Sequence, residues 1–166
     1  MIFMSQSGLL DRAQEAEWDK WYVEHLSIME TVQGIDSARR FKSASPGCPP
    51  SLAMYSVRSA AVFEDPYYQK IRGMGKWLPL IDRAFYRRNL FDGLQMAPEV
   101  DAGHMLWLVD RNEPDLVLEN IEFTWLRSIG LDRSTPYRGI AVVPSGEDHE
   151  AMADCAGVAI YKPFTL

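Results

Sequence analysis

The sequence predicts an α+β protein made of two tandem ferredoxin-like βαββαβ units, the second one degenerate. Three observations predict it. In the first 95 residues, apolar segments switch between strand-like runs and the three-and-four spacing of an amphipathic helix, in the order β, α, β, β, α, β. A similar order returns more faintly after residue 96. Between the two lies Met96-Ala-Pro-Glu-Val-Asp-Ala-Gly103, which lacks periodicity and holds Pro and Gly. The expected boundary therefore gives a first unit at 1–95, carrying the candidate site, and a shorter second unit at 96–166.

Ile2 to Ser5 is short, apolar and followed by Ser7-Gly8, as a strand entering a turn would be. From Ala13 to about Val32, the residues Trp18, Trp21, Tyr22, Leu26, Met29 and Val32 recur at three and four. Glu15, Lys20, Glu24 and Glu30 take other positions, so this is an amphipathic helix. Gly34 stands where a helix stop is expected, and Ile35 to Phe41 leaves as a strand. Ser43 to Pro50 concentrates turn formers and reads as a loop into a strand at Leu52 to Val57. Ser59 to about Arg72 suits a helix but contains Pro66, so two short helical pieces are expected. After Gly73 and Gly75, the aromatic-rich run Arg83 to Phe91 fits a strand with its arginines on the wetter face.

In the second half, His104 to Val109 reads as a strand, and Asp115 to about Ser128 as a helix stopped by Gly130. Tyr137 to Val143 is a further strand. A short polar helix near Glu147 to Ala153 and a strand at Val158 to Tyr161 end the series.

Composition narrows the function classes. At 166 residues and 47% hydrophobic content the chain can bury a real core. A formal charge of −6, with no Lys/Arg-rich run, disfavours nucleic acid as a partner. No stretch approaches the roughly 20 apolar residues of a membrane span, and the start lacks a basic signal-peptide region. A cytoplasmic protein without a membrane partner is expected. Cys48 and Cys155 lie outside any Cys-x-x-Cys spacing, and His25, His104 and His149 sit on separate segments, so no metal site is signalled. Neither a Gly-x-Gly-x-x-Gly loop nor a Gly-x-Ser-x-Gly elbow occurs.

A lone βαββαβ unit leaves one sheet face bare, because its crossovers put both helices on the other. Covering that face stabilises at roughly 25 cal/mol per Å² of apolar area. The cover can be the other half of the chain, a second chain, or both.

Certain residues add a resemblance. Trp21-Tyr22-Val23-Glu24-His25-Leu26, then Gly34, Arg39-Arg40-Phe41 and Leu52-Ala53-Met54-Tyr55, resemble the dimeric α+β barrel superfamily and are similar to its EthD group. Those proteins carry a W-Y-x-x-H-L-P helix, a glycine, and a strand ending in Arg-Phe or Arg-Tyr. Ser27 departs from that pattern where proline is usual, and the second half keeps Trp125-Leu126 without a Tyr-x-x-His. The resemblance implies a dimeric α+β-barrel-type assembly, a homodimer, and a small-ligand site between sheet and helices. It also implies a small-molecule enzyme: a cofactor-free isomerase, lyase, cyclase or oxygenase acting on a small aromatic or carbonyl compound. The alternative is a non-catalytic small-ligand-binding or assembly protein of the same fold. Haem held by one histidine occurs among relatives of this superfamily, yet nothing here singles out a ligand, and no cofactor is expected.

His25 lies in the apolar stripe, three and four residues from Tyr22, Trp21 and Met29, where an imidazole can move a proton near neutral pH. Tyr22 or Tyr55 is the expected second proton carrier. The plainer alternative is a core histidine satisfied by a carbonyl or a carboxylate, such as Asp19 or Glu24. Trp18, Trp21 and Met29, with Tyr22, are either an aromatic and thioether wall for a planar ligand or simply core. Arg40 is a candidate anion or enolate clamp, since Arg39 and Arg40 face opposite sides of their strand. Tyr68, with Tyr67, Arg83, Tyr86, Arg87 and Arg88, either lines a pocket mouth or forms a face for a partner.

Overall fold

The first strand, β1 (Ile2–Ser7), has all six residues buried because both of its faces are covered. That double cover sets the architecture seen in the computed structural model, which describes residues 1–165. After β1 come α1 (Glu15–Met29), β2 (Ile35–Ser43), β3 (Ser51–Val57), α2 (Pro66–Ile71) and β4 (Arg87–Asp92). The second half follows as β5 (His104–Arg111), β6 (Thr124–Leu131), β7 (Tyr137–Pro144), α3 (Glu147–Ala156) and β8 (Ala159–Pro163).

The eight strands close into one antiparallel barrel, in the order β1-β3-β2-β8-β5-β7-β6-β4. The first half contributes the run β4-β1-β3-β2 and the second β8-β5-β7-β6, so both halves place their strands in the same relative order. Pairing of β2 with β8 and of β4 with β6 joins them. The barrel therefore closes within one chain.

Alternation along the strands sorts three cores. Ile2, Met4, Phe41, Leu52, Met54, Phe91, Leu106, Leu108, Leu126, Ile140 and Tyr161, drawn from all eight strands, fill the lumen. Phe3, Ala53, Tyr55, Val57 and Leu90 face outward and meet Trp18, Tyr22, Leu26 and Met29 of α1. Met105, Trp107, Val109, Ala141 and Val143 face outward beneath α3 and the segment 112–123.

Asp115 to Ser128 departs from expectation: instead of a helix, it gives an irregular stretch and then strand β6. Thr124, Trp125 and Ile129 are good strand formers, and β4 and β7 each offer an open edge that only this segment can pair. Phe91 pairs Ser128 and Trp125 pairs Gly139, while Leu126 enters the lumen. Gly130 lies inside the strand opposite Leu90 rather than ending a helix. A smaller difference occurs at Arg83 to Tyr86, which form a turn in which the Ala84 N–H donates to Asp82 Oδ1 at 2.9 Å. Strand β4 begins only at Arg87. Pro66 does split its region as its ring requires. A 3-10 turn at Ala60–Glu64 precedes α2, which has Asp65 as N-cap accepting from the Tyr68 N–H at 2.8 Å.

Candidate functional site

Helix α1 lays Trp18, Tyr22, Leu26 and Met29 onto the outer face of β1 and β3. His25 sits beside that buried stripe, half-buried, with its ring stacked on Trp21 at 4.8 Å and 10°. The edge of Tyr22 lies 6.3 Å away. Neither ring nitrogen bonds to another group among the described residues, and burial alone lowers the His25 pKa below 6.5. The imidazole is therefore neutral at pH 7.

His25 opens on a cavity of about 50 Å³ between the sheet and its cover. Phe3 and Ser5 of β1, Tyr55 of β3 and Arg88 of β4 form its floor, with Ser5 directly opposite Arg88 in the strand register. Tyr22 and Met29 of α1, Tyr68 of α2, and Arg72, Gly73, Met74 and Tyr86 from the following turns complete the walls. At that size it holds about three to five water-sized groups.

The polar groups around this space have defined protonation. Burial pushes the Tyr55 hydroxyl well above 10, helped by Tyr22 and Tyr68. Burial likewise raises Tyr22, against the pull of Arg40. Tyr68 and Tyr86 are also raised by burial, with Arg88 and Arg72 opposing in both. All four phenols stay protonated near neutrality and can donate hydrogen bonds. The buried Nε of Arg88 has no partner among the described residues, which leaves one guanidinium donor at the cavity for another acceptor.

Arg40 and Trp18 belong to a neighbouring arrangement. Arg40 is 3% exposed and sits on the outward face of β2. Its Nη2 donates to Asp19 Oδ1 at 2.5 Å, its Nη1 to the Asp19 carbonyl at 3.2 Å and its Nε to Ser51 Oγ at 3.2 Å. The guanidinium lies over the rings of Tyr22 (4.3 Å), Trp18 (4.9 Å) and Phe164 (5.2 Å). Lys42 Nζ joins from β2, donating to Asp19 at 2.9 Å. Burial lowers the Arg40 pKa and Asp19 works against that. Asp19 is thus taken up by two cations and does not hold His25, and Glu24 is exposed.

Of the residues singled out from the sequence, the cavity brings together His25, Tyr22, Tyr55, Met29 and Tyr68. Trp21 reaches it only by stacking on His25. Trp18 is fully buried and Arg40 serves the ion network, so neither lines it. Sequence reasoning did not single out Arg72, Met74 or Ser5 for the site. Arg88 and Tyr86 were seen as a mouth or partner face, a signal left open because strand register decides it.

Larger clefts exist: one of about 580 Å³ runs between Leu9, Phe85 and the loop at Ser43–Pro50, and another of about 420 Å³ lies beside Arg40 and Phe164. None of the three histidines lines either. His104 Nδ1 sits 2.7 Å from Asp101 Oδ1, and His149 Nδ1 sits 2.9 Å from the Pro144 carbonyl. Among the described residues no three His, Cys, Asp or Glu side chains gather as a metal site. The space beside His25 is also far below the roughly 300–1,000 Å³ of an ordinary small-molecule site, and so does not fit a haem. No helix is long and apolar enough to cross a membrane.

Eight antiparallel strands closed into one barrel, with helices packed outside, define an α+β barrel fold. One solved structure with this fold is a protein provisionally described as a chlorite dismutase; it matches with a TM-score of 0.60 at 8% identity, over 99% of this chain and 94% of that one. At such identity the likeness concerns the fold alone. No family model and no curated protein matches the chain.

Proposed function

We propose that this protein is a small-molecule enzyme in which neutral His25 moves a proton on a small carbonyl compound. Tyr55 and Tyr22 are the hydrogen-bond donors to its oxygen. The observation that carries this reading is an imidazole free of protein hydrogen bonds, its pKa lowered by burial, opening on a cavity ringed by protonated phenols. In the proposed step a C–H bond next to the carbonyl breaks and its proton goes to an imidazole nitrogen. The electron pair forms a C=C bond while the carbonyl pair moves to oxygen as an enolate. Return of a proton reverses both, so no oxidant or reductant is needed.

Cavity size narrows the substrate. A dry cavity of roughly 150 Å³ is needed to take a benzene ring, so 50 Å³ admits the reacting end of a molecule and not an aromatic body. An aromatic substrate would have to keep its ring outside. The matching strand order of the two halves supports reading the chain as tandem ferredoxin-like units similar to the EthD group, with the site kept in the first. Because the lateral strand edges are used within the chain, a homodimer of these barrels would use an outer surface.

The test is deuterium uptake from D2O into small ketones and oxo acids, followed by proton NMR. Wild-type protein is expected to speed exchange at the carbon next to the carbonyl, and His25→Gln to lose at least ~100-fold of that while keeping its circular dichroism. Equal exchange by a folded His25→Gln variant would remove His25 from the chemistry. Saturable binding with no exchange by wild type would favour the non-catalytic binding protein.

A further inference from the structure

The walls of the His25 cavity carry an imbalance of charge. Two guanidiniums, Arg72 and Arg88, line it, and no carboxylate does. Asp132, the acid that approaches Arg88, comes only to 4.0 Å from its Nη2. The Arg88 Nε is buried and has no acceptor among the described residues, although the side chain as a whole is 35% exposed and its neighbour Asn89 is engaged with Ser134 through both amide atoms. Tyr68 and Tyr86 line the same space, and both guanidiniums act on both hydroxyls in the sense that favours negative charge, with Asp132 opposing at Tyr86. A buried cationic donor left without an acceptor is costly unless something supplies one.

We propose that the substrate is an anion, a small 2-oxo carboxylate whose carboxylate is held by Arg88 and Arg72 with its reacting carbon toward His25. This rests on the proton-transfer reading above and adds the substrate class. Charge and geometry agree on it: Arg72 and Arg88 both line the space, and guanidinium is the group that matches a carboxylate with paired donors. The arginines are positioning residues. They bind in the ground state and draw electron density toward the oxygen end, and His25 alone takes the proton.

Pyruvate is the probe, and pyruvamide, its neutral analogue of similar size, is the control. Binding is read as saturable changes in the His25 and Tyr signals by NMR, and chemistry as deuterium uptake into the methyl group. Pyruvate is expected to bind and exchange, and pyruvamide to do neither measurably. Arg88→Gln and Arg72→Gln are each expected to weaken pyruvate binding by about 10–100-fold. Added salt is expected to weaken wild-type binding more than that of either variant. Arg72 is exposed, so its variant folds even if Arg88→Gln does not. Equal binding of the neutral analogue, unchanged pyruvate binding in the Arg72 variant, or no pyruvate binding at all would overturn the anion assignment. Arginine-dependent pyruvate binding without exchange would instead uphold the anion assignment and remove the proton-transfer reading.

Discussion

At the scale of single residues, His25 differs from an ordinary core histidine because neither ring nitrogen has a hydrogen-bond partner among the described residues. Asp19, a carboxylate of the same helix, is claimed by Arg40 and Lys42. A measurable consequence follows for stability. Since the folded pKa lies below 6.5, the unfolded chain binds the proton more readily, and stability falls as pH drops from about 6.5 toward the folded value. Above that window the group contributes nothing. Urea midpoints at about pH 7.5 and about pH 5.5 should therefore separate more for wild type than for His25→Gln. An equal separation would mean the imidazole is not depressed. The sequence made His25 legible through helical spacing, and Tyr22 and Met29 with it. For Arg88 the sequence leaves a pocket mouth and a partner face open, because its role depends on pairing with Ser5, more than eighty positions away in the chain.

At the scale of elements, α1 is fastened to β2 by the Arg40–Asp19 pair beneath it. Asp19→Ala leaves Arg40 buried and uncompensated, and should cost about 3 kcal/mol in urea unfolding. A loss under about 1 kcal/mol, the level of a surface ion pair, would show that the network is not desolvated. The turn from α1 into β2 relies on Gly34 at φ +96°, where an added Cβ would meet Val62 Cγ2 at 2.7 Å. Gly34→Ala should lower the thermal midpoint through both strain and clash, by more than about 1 kcal/mol in equivalent stability. Strands and α1 were readable because their periodicity reflects faces covered locally. The segment Asp115–Ser128 was not. Leu116, Leu118, Ile121, Trp125 and Leu126 have spacing compatible with a helix, but the open edges of β4 and β7, distant in sequence, decide for a strand.

For the whole molecule, closure within one chain means that neither half has a complete sheet without the other. The β2–β8 and β4–β6 seams hide the lumen core, to which both halves contribute. Unfolding should therefore be a single transition, with tryptophan fluorescence and far-ultraviolet circular dichroism coincident in urea. Two separated transitions would mean that the seams are weak. The sequence could not say whether cover came from the second half or from a second chain, because an apolar strand face reads the same in both cases. Nor could it show how small the space beside His25 is, since cavity volume depends on the packing of Met29, Met74 and Tyr68 from three separate segments. The account's central claim is a neutral imidazole facing a space that attracts anions, and a proton NMR titration of the His25 ring tests it directly. The account predicts a midpoint below 6.5 that rises when pyruvate is added, as a bound anion favours the imidazolium. A midpoint at or above 6.5, or one indifferent to pyruvate, would contradict it.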